Sequence, residues 1–190
     1  MPTWGQTSTT NATNSASFGS TFRMMGGTSP NTAGMALQSV SLDFSGTGQS
    51  IRVAVYTGGA SLSDPVGATL VEDLGQITVN GTRQFWTVNS STSPAIPQNA
   101  PLWIAVKQGT GATGYWSTSS ADAGDFQTAR GRFQITGQTN GTDPTLAFPS
   151  TLNGTSGFAL FWYAWYLTYN VGGAASNAPR SMFYALNGMR

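Results

Sequence analysis

The sequence contains no cysteine and no histidine. The first absence excludes a disulfide framework and thiolate metal sites, and the second removes the commonest general base and the commonest metal ligand. Much of enzyme chemistry is closed by those two facts. Charge is scarce as well: eight Lys and Arg face seven Asp and Glu, so charged residues make up 8% of 190, where ordinary globular chains run at about 25%. The basic residues Arg23, Arg52, Arg83, Lys107, Arg130, Arg132, Arg180 and Arg190 are scattered, whereas binding driven by counterion release needs a clustered basic face. No nucleic-acid partner is expected. The only long apolar run, Phe158 to Leu167, is short against the roughly 20 residues of a spanning helix, so no membrane partner is expected either. Met1-Pro-Thr-Trp-Gly-Gln has neither a basic region nor an apolar stretch, so no signal peptide is expected.

What the chain does have is glycine, 24 residues of it, with Ser, Thr, Asn and Gln where charges would normally stand. Such a surface suits an exterior setting. An exterior composition without a secretion signal is reconciled by a virion protein, which assembles in the host cytoplasm and works outside. A chain of this length suits one domain, or one domain with arms, and can bury about 70% of the surface its unfolded form exposes.

Helical periodicity is hard to find, while alternation of period two recurs in short runs bounded by Gly, Pro, Asn and Ser. Ala16, Phe18, Ser20, Phe22 and Met24 share one face of a first strand; Val40, Leu42 and Phe44 share a face of the next. Ile51, Val53 and Val55 alternate with Arg52, Ala54 and Tyr56 before Gly58-Gly59 and Ser63-Asp64-Pro65 break the chain. Residues 70–79 and 83–89 read as two strands joined by a type I′ hairpin at Asn80-Gly81. Leu102, Ile104 and Val106 share a face with Trp103 on the other. Tyr115-Trp116 is a short strand, residues 117–129 a polar loop, Arg132 to Thr136 another strand, and residues 137–157 a second long loop. The fold class expected is all-β: an antiparallel two-sheet β-sandwich, jelly-roll-like, with extended N- and C-terminal arms. Residues 1–15 form the N-terminal arm, 16–169 the sandwich, and 170–190 a linker and anchoring tail.

The last strand is unusual. Phe158, Leu160, Trp162, Ala164 and Tyr166 lie on one face and Ala159, Phe161, Tyr163, Trp165 and Leu167 on the other, so both faces are apolar. A sandwich strand with one wet face should alternate. The N-terminal arm, the tail or a neighbouring subunit must cover the second face.

From residue 40 to 116 the strand patterns follow one another in a familiar order: Val40-Ser41-Leu42, Ile51 to Tyr56, Phe85-Trp86-Thr87-Val88, Pro94-Ala95-Ile96-Pro97, Leu102 to Val106 and Thr113-Gly114-Tyr115-Trp116. With Trp4-Gly5 near the start and the aromatic strand Phe158 to Tyr169 at the close, the series resembles the β-sandwich accessory modules of tailed-phage structural proteins, related in pattern to secreted glycan-binding modules. The resemblance implies a non-enzymatic module displayed on a virion or cell surface, frequently trimeric and sometimes sugar-binding. The function expected is a virion structural protein, a homo-oligomeric capsid decoration or head-fibre protein with a trimer favoured and the major capsid protein as partner. The alternative is a carbohydrate-binding receptor-recognition module of a tail fibre or tail tip.

Chemistry-bearing residues are few. Glu72 and Asp73 are adjacent, so on a strand they point to opposite faces and cannot work as a pair. A serine nucleophile would have only Lys107 or a carboxylate as its base. Tyr115, Trp116 and Trp86 lie next to loops and could stack on sugar rings, with Asp122, Asp125 and Arg130 as hydrogen-bonding partners for a cell-surface glycan; the competing reading makes the aromatics core and the loop carboxylates merely solvated. Phe161, Tyr163 and Trp165, with Met182, Phe183, Tyr184 and Leu186 of the tail, are the candidate oligomer or particle contacts. No catalytic residue, metal or cofactor is expected.

Overall fold

The computed structural model describes residues 1–5, 7, 13–15, 21–62, 64–108, 114–118, 130–136, 143–153, 155–159 and 162–172. Its strands in chain order are β1 (Thr3–Gly5), β2 (Thr13–Ser15), β3 (Thr21–Thr28), β4 (Met35–Thr57), β5 (Thr69–Asn89), β6 (Ala95–Ile96), β7 (Pro101–Gln108), β8 (Gly114–Thr118), β9 (Arg130–Thr136), β10 (Thr155–Ala159), β11 (Trp162–Tyr163) and β12 (Trp165–Val171). Among the described residues there is no helix. All twelve strands belong to one antiparallel, nearly closed sheet, whose main path runs β1-β12-β4-β7-β3-β9-β10.

β4 organises the sheet. Its first half pairs with β12, from Met35↔Val171 to Leu42↔Trp165, and its second half pairs with β7, from Ile51↔Gln108 to Thr57↔Leu102. Along its other edge runs β5, from Ser39↔Asn89 to Thr57↔Thr69. The two halves therefore belong to different regions of the sheet, and their inward side chains meet. Val40, Leu42 and Phe44 from the first half, Ile51, Val53 and Val55 from the second, and Leu102, Ile104 and Val106 of β7 are buried in one core. Trp4 closes it from β1, buried and donating its indole N–H to the Thr28 carbonyl at 2.8 Å. Thr3–Gly5, expected within an extended arm, is thus a strand of the sheet. Gly5 is required there, since with φ of 125° a Cβ would stand 2.5 Å from the Trp165 carbonyl oxygen.

β3, β7 and the second half of β4 carry a second apolar layer on their opposite face, made of Phe22, Met24, Ala54, Tyr56, Trp103 and Ala105. Residues 143–153, read from sequence as part of the second long loop, lie across it: Phe148 and Leu152 are buried in this layer, with Phe148 edge-on to Phe22 at 5.3 Å. The segment is tied down by backbone bonds from Leu70 N to Ser150 O, Gly67 N to Leu152 O and Leu152 N to Ala68 O, all of 2.8–2.9 Å. We refer to it as the strap.

Two expectations are corrected. Asn80-Gly81 is not a hairpin turn; β5 runs through it as one strand, with Asn80 opposite Thr47 and Gly81 opposite Gly46. The registers shift on both sides of Thr47, so the glycines absorb irregularities in a long ribbon rather than reverse the chain. The aromatic segment is likewise not one strand: β10, β11 and β12 are separate, and the chain bends at Ala164. Tyr163 and Trp165, expected at an oligomer contact, are 0% exposed within the chain's own core, stacked on each other at 4.1 Å with Trp165 against Phe44. Folding the second half of β4 and β7 over them leaves no area for a partner.

Candidate functional site

Because Val40, Leu42 and Phe44 point inward, the pleat sends Ser39, Ser41 and Asp43 to the outer face of the sheet. Register supplies their neighbours: Asp43 faces Phe85, while Ser41 faces Thr87 on one side and Tyr166 on the other. Cross-strand hydroxyl pairs follow, Ser39 with Thr168 at 2.7 Å and Ser41 with Thr87 at 2.8 Å. Asp43 is only 1% exposed and is held by Arg83, whose Nε and Nη2 donate to the same Oδ2 at 2.8 and 2.6 Å. The Arg83 side chain keeps 29% of its surface. Phe85 is half-buried and meets Tyr166 edge-on, with ring centroids 5.2 Å apart and planes at 66°. Asp43, Arg83, Gln84 and Phe85 line a hollow of about 300 Å³ that opens to solvent.

A second group of charges sits under the strap. Lys107 is fully buried; its Nζ donates to the carbonyls of Ala147 and Leu146 at 3.0 and 3.3 Å and lies 4.7 Å from the centre of the Phe148 ring. Burial pushes its pKa below the ordinary lysine value, and the Asp73 charge opposes that only in part. Asp73 accepts from Arg52 Nε, from the Phe148 backbone N–H at 2.9 Å and from Gly75 N at 3.0 Å. Tyr56 donates its hydroxyl to the Pro149 carbonyl at 2.7 Å, and burial, with the Asp73 charge adding, pushes its pKa up. Lys107, Tyr56 and Asp73 thus each bond a residue of the strap, Lys107 through Leu146 and Ala147, Tyr56 through Pro149 and Asp73 through Phe148, so Lys107 is placed as a latch.

Glu72, next to Asp73 in sequence, points away from it. It accepts from the Ser90 hydroxyl, from the backbone and hydroxyl of Ser91 at 2.9 Å, and from Thr92 N at 3.2 Å. Burial alone would raise its pKa, but these donors outweigh burial and hold it below the ordinary glutamate value. A carboxyl lowered in this way adds stability above the unfolded-state pKa and loses it as pH falls through the folded one. Glu72→Gln is therefore expected to lower the melting temperature at pH 7 and to make it less sensitive to acid below about pH 4.5; thermal melts from pH 7 to 3 check this.

The residues singled out from sequence are brought together only in part. Tyr115 and Trp116 lie on β8, where Tyr115 pairs with Phe44 and Ser15, and Trp116 with Asn14. Arg130 opens β9 opposite Gly26 of β3. Asp122, Asp125, Phe161, Met182, Phe183, Tyr184 and Leu186 lie outside the described residues, as do Ala16, Phe18 and Ser20. Trp86, half-buried, turns its indole N–H to the Phe44 carbonyl at 3.0 Å and packs against the main core. The Asp43–Arg83 pair was missed because its partners are 40 residues apart; the signal available was an aspartate breaking the polar-neutral outer face between Leu42 and Phe44. Among the described residues no group of three or more His, Cys, Asp or Glu could hold a metal ion.

No protein-family model matches the chain, and no curated protein matches it. Among solved structures, a clostridial cysteine protease, Cwp84 after propeptide cleavage, superposes on 84% of this chain with a TM-score of 0.52 at 10% identity. The chain spans 38% of that protein's chain. At that identity the likeness is one of fold alone, and a chain without cysteine lacks the thiol such a protease is named for.

Proposed function

We propose that this chain is a non-enzymatic structural protein of a tailed-phage virion, a homo-oligomeric capsid decoration or head-fibre protein. The observation that carries the non-enzymatic part is the state of its carboxylates. Of seven acidic residues in the sequence, Asp43, Asp64, Glu72, Asp73 and Asp143 are described. Each accepts hydrogen bonds from the chain itself: Asp64 from Val66 N, Asp143 from Thr145, and the others from the partners given above. Acid and base groups fastened to backbone and to arginine hold a scaffold together. In the same reading the sheet is a two-sheet, jelly-roll-like sandwich; its support is the meeting of the two halves of β4 in one core.

Mass spectrometry of purified virions tests the location, with hundreds of copies per particle expected and absence from particles overturning it. Light scattering of the isolated protein is expected to give a trimer; a soluble monomer at high micromolar concentration would sink that part. Deleting residues 180–190 should leave the melting temperature nearly unchanged while abolishing oligomers and particle incorporation, since residues 174–179 offer little area to bury and Met182, Phe183, Tyr184 and Leu186 offer much. A large loss of stability would make the tail part of the core. The second reading, a carbohydrate-binding receptor-recognition module, is favoured by one observation, the aromatic and ion-paired hollow beside Arg83.

A further inference from the structure

We propose that the strap is a lid: residues 143–153 lift from the sheet as one piece, and the charge on Lys107 beneath them drives the lifting. Lys107 is the chain's only lysine, and the closed strap leaves it fully buried.

The strap is fastened at points and not along a ladder. Among the described residues its backbone is bonded at Gly67, Ala68 and Leu70 and through one bridge, Thr69 to Thr151. Side chains of Lys107, Tyr56 and Asp73 add the remaining ties. A segment held in this way opens locally at less cost than the paired strands of a core. Phe148 and Leu152 are its two anchors in the apolar layer, so lifting bares Phe22, Tyr56 and Trp103 together with the lysine.

Lys107 is the group most altered by that movement. Directly across the register from it stand Phe22 on β3 and Arg52 on β4, one apolar and the other of like charge. Asp73 of β5 is engaged by Arg52 and by the Phe148 N–H, Asp143 of the strap by Thr145, and the Tyr56 hydroxyl by Pro149. Among the described residues no carboxylate forms an ion pair with Lys107. An ammonium has three N–H donors. The Leu146 and Ala147 carbonyls take two, and beyond them Lys107 meets the face of the Phe148 ring at 4.7 Å. A neutral amine carries two N–H groups, one for each carbonyl, so the closed strap fits Lys107 better without its charge.

Lifting returns the ammonium to water, so protonation and opening favour each other. Burial, with the Arg52 charge adding, outweighs the Asp73 and Asp143 charges and holds the amine below the ordinary lysine value. The closed form therefore gives up its proton before the open form does. Closing gains on opening by up to about tenfold per pH unit between Lys107's own pKa and about pH 10. Above that Tyr56 acts in the opposite sense, because burial holds its hydroxyl protonated in the closed form.

The test uses the full chain with isotope-labelled lysine, whose single side-chain signal is titrated by NMR from about pH 7 to 10. Quench-flow amide hydrogen exchange, corrected for the intrinsic rate at each pH, is measured alongside. Lys107 is expected to titrate below the ordinary lysine value, and the Phe148 and Leu152 amides to be less protected than those of β7. Protection of these two should rise, by up to about tenfold per pH unit, as Lys107 loses its proton. Lys107→Met removes the titrating group and should leave their protection flat with pH. Should that variant not fold, Lys107→Arg, whose charge persists throughout, is expected to give weaker and equally flat protection. Phe148 and Leu152 amides as protected as those of β7 would mean that the strap opens only when the whole sheet unfolds. Protection flat with pH in the unaltered chain, or the same pH dependence in either variant, would mean that the Lys107 charge does not drive it. Either result overturns the proposal.

Discussion

Replacing Trp103 with alanine is expected to cost about 3–5 kcal/mol, the range for truncating a large buried aromatic. Trp103 is 0% exposed, its indole N–H donates to the Gly58 carbonyl at 2.7 Å, and it sits among Phe22, Met24, Tyr56 and Phe148 in the layer beneath the strap. Its ring also lies directly over Gly26: a Cβ there would stand 1.9 Å from Trp103 Cε3. Truncation therefore leaves a void that the neighbouring backbone cannot fill, with one carbonyl stripped of its donor. For a domain of this size the loss corresponds to a drop of roughly 10 °C or more in melting temperature, read by calorimetry or circular dichroism. Gly26→Ala should be damaging by the opposite route, overpacking, and Gly26→Ala combined with Trp103→Ala should cost less than the two single losses added. Strict additivity would mean that the ring does not lie on Gly26.

Arg83→Ala is expected to cost about 3 kcal/mol, the low end of the range for removing one partner of a buried ion pair, because Arg83 itself keeps 29% exposure. The penalty comes from Asp43, which is 1% exposed in the intact protein and would lose both guanidinium donors. Removing the carboxylate as well should recover much of it. A double-mutant cycle with Asp43→Ser, measured by urea denaturation at pH 7, is expected to give a coupling of about 2 kcal/mol. A coupling near zero would show an exposed pair of the ordinary surface kind, worth little.

Period-two alternation was enough to assign faces where the strand is central. Val40, Leu42 and Phe44, then Ile51, Val53 and Val55, then Leu102, Ile104 and Val106 opposite Trp103, all point as the pattern implies. Alternation works there because each of these strands is buried on at least one face, so a shift of one residue would expose its whole apolar set. It misled at Asn80-Gly81, where the local turn preference is real. Continuous pairing with β4 across Gly46 and Thr47 keeps the chain extended instead. At Phe158 to Leu167, where apolar residues on both faces left the N-terminal arm, the tail or a neighbouring subunit as the cover, Tyr163, Trp165 and Leu167 are covered by the chain's own strands and Tyr166 meets Phe85.

The sequence by itself determined the class of the fold, the inward faces of its central strands and the closure of thiol and imidazole chemistry, because those follow from residue type and from neighbours one or two positions away. Tertiary structure alone decided that the polar segment 143–153 is a strap over a second apolar layer, that the chain's only lysine is buried beneath it, and that Asp43 meets Arg83 beside an aromatic wall. These depend on which distant strands share a register. That register is set by the bending of one 23-residue strand through two regions of the sheet, a long-range pairing that no local spacing encodes.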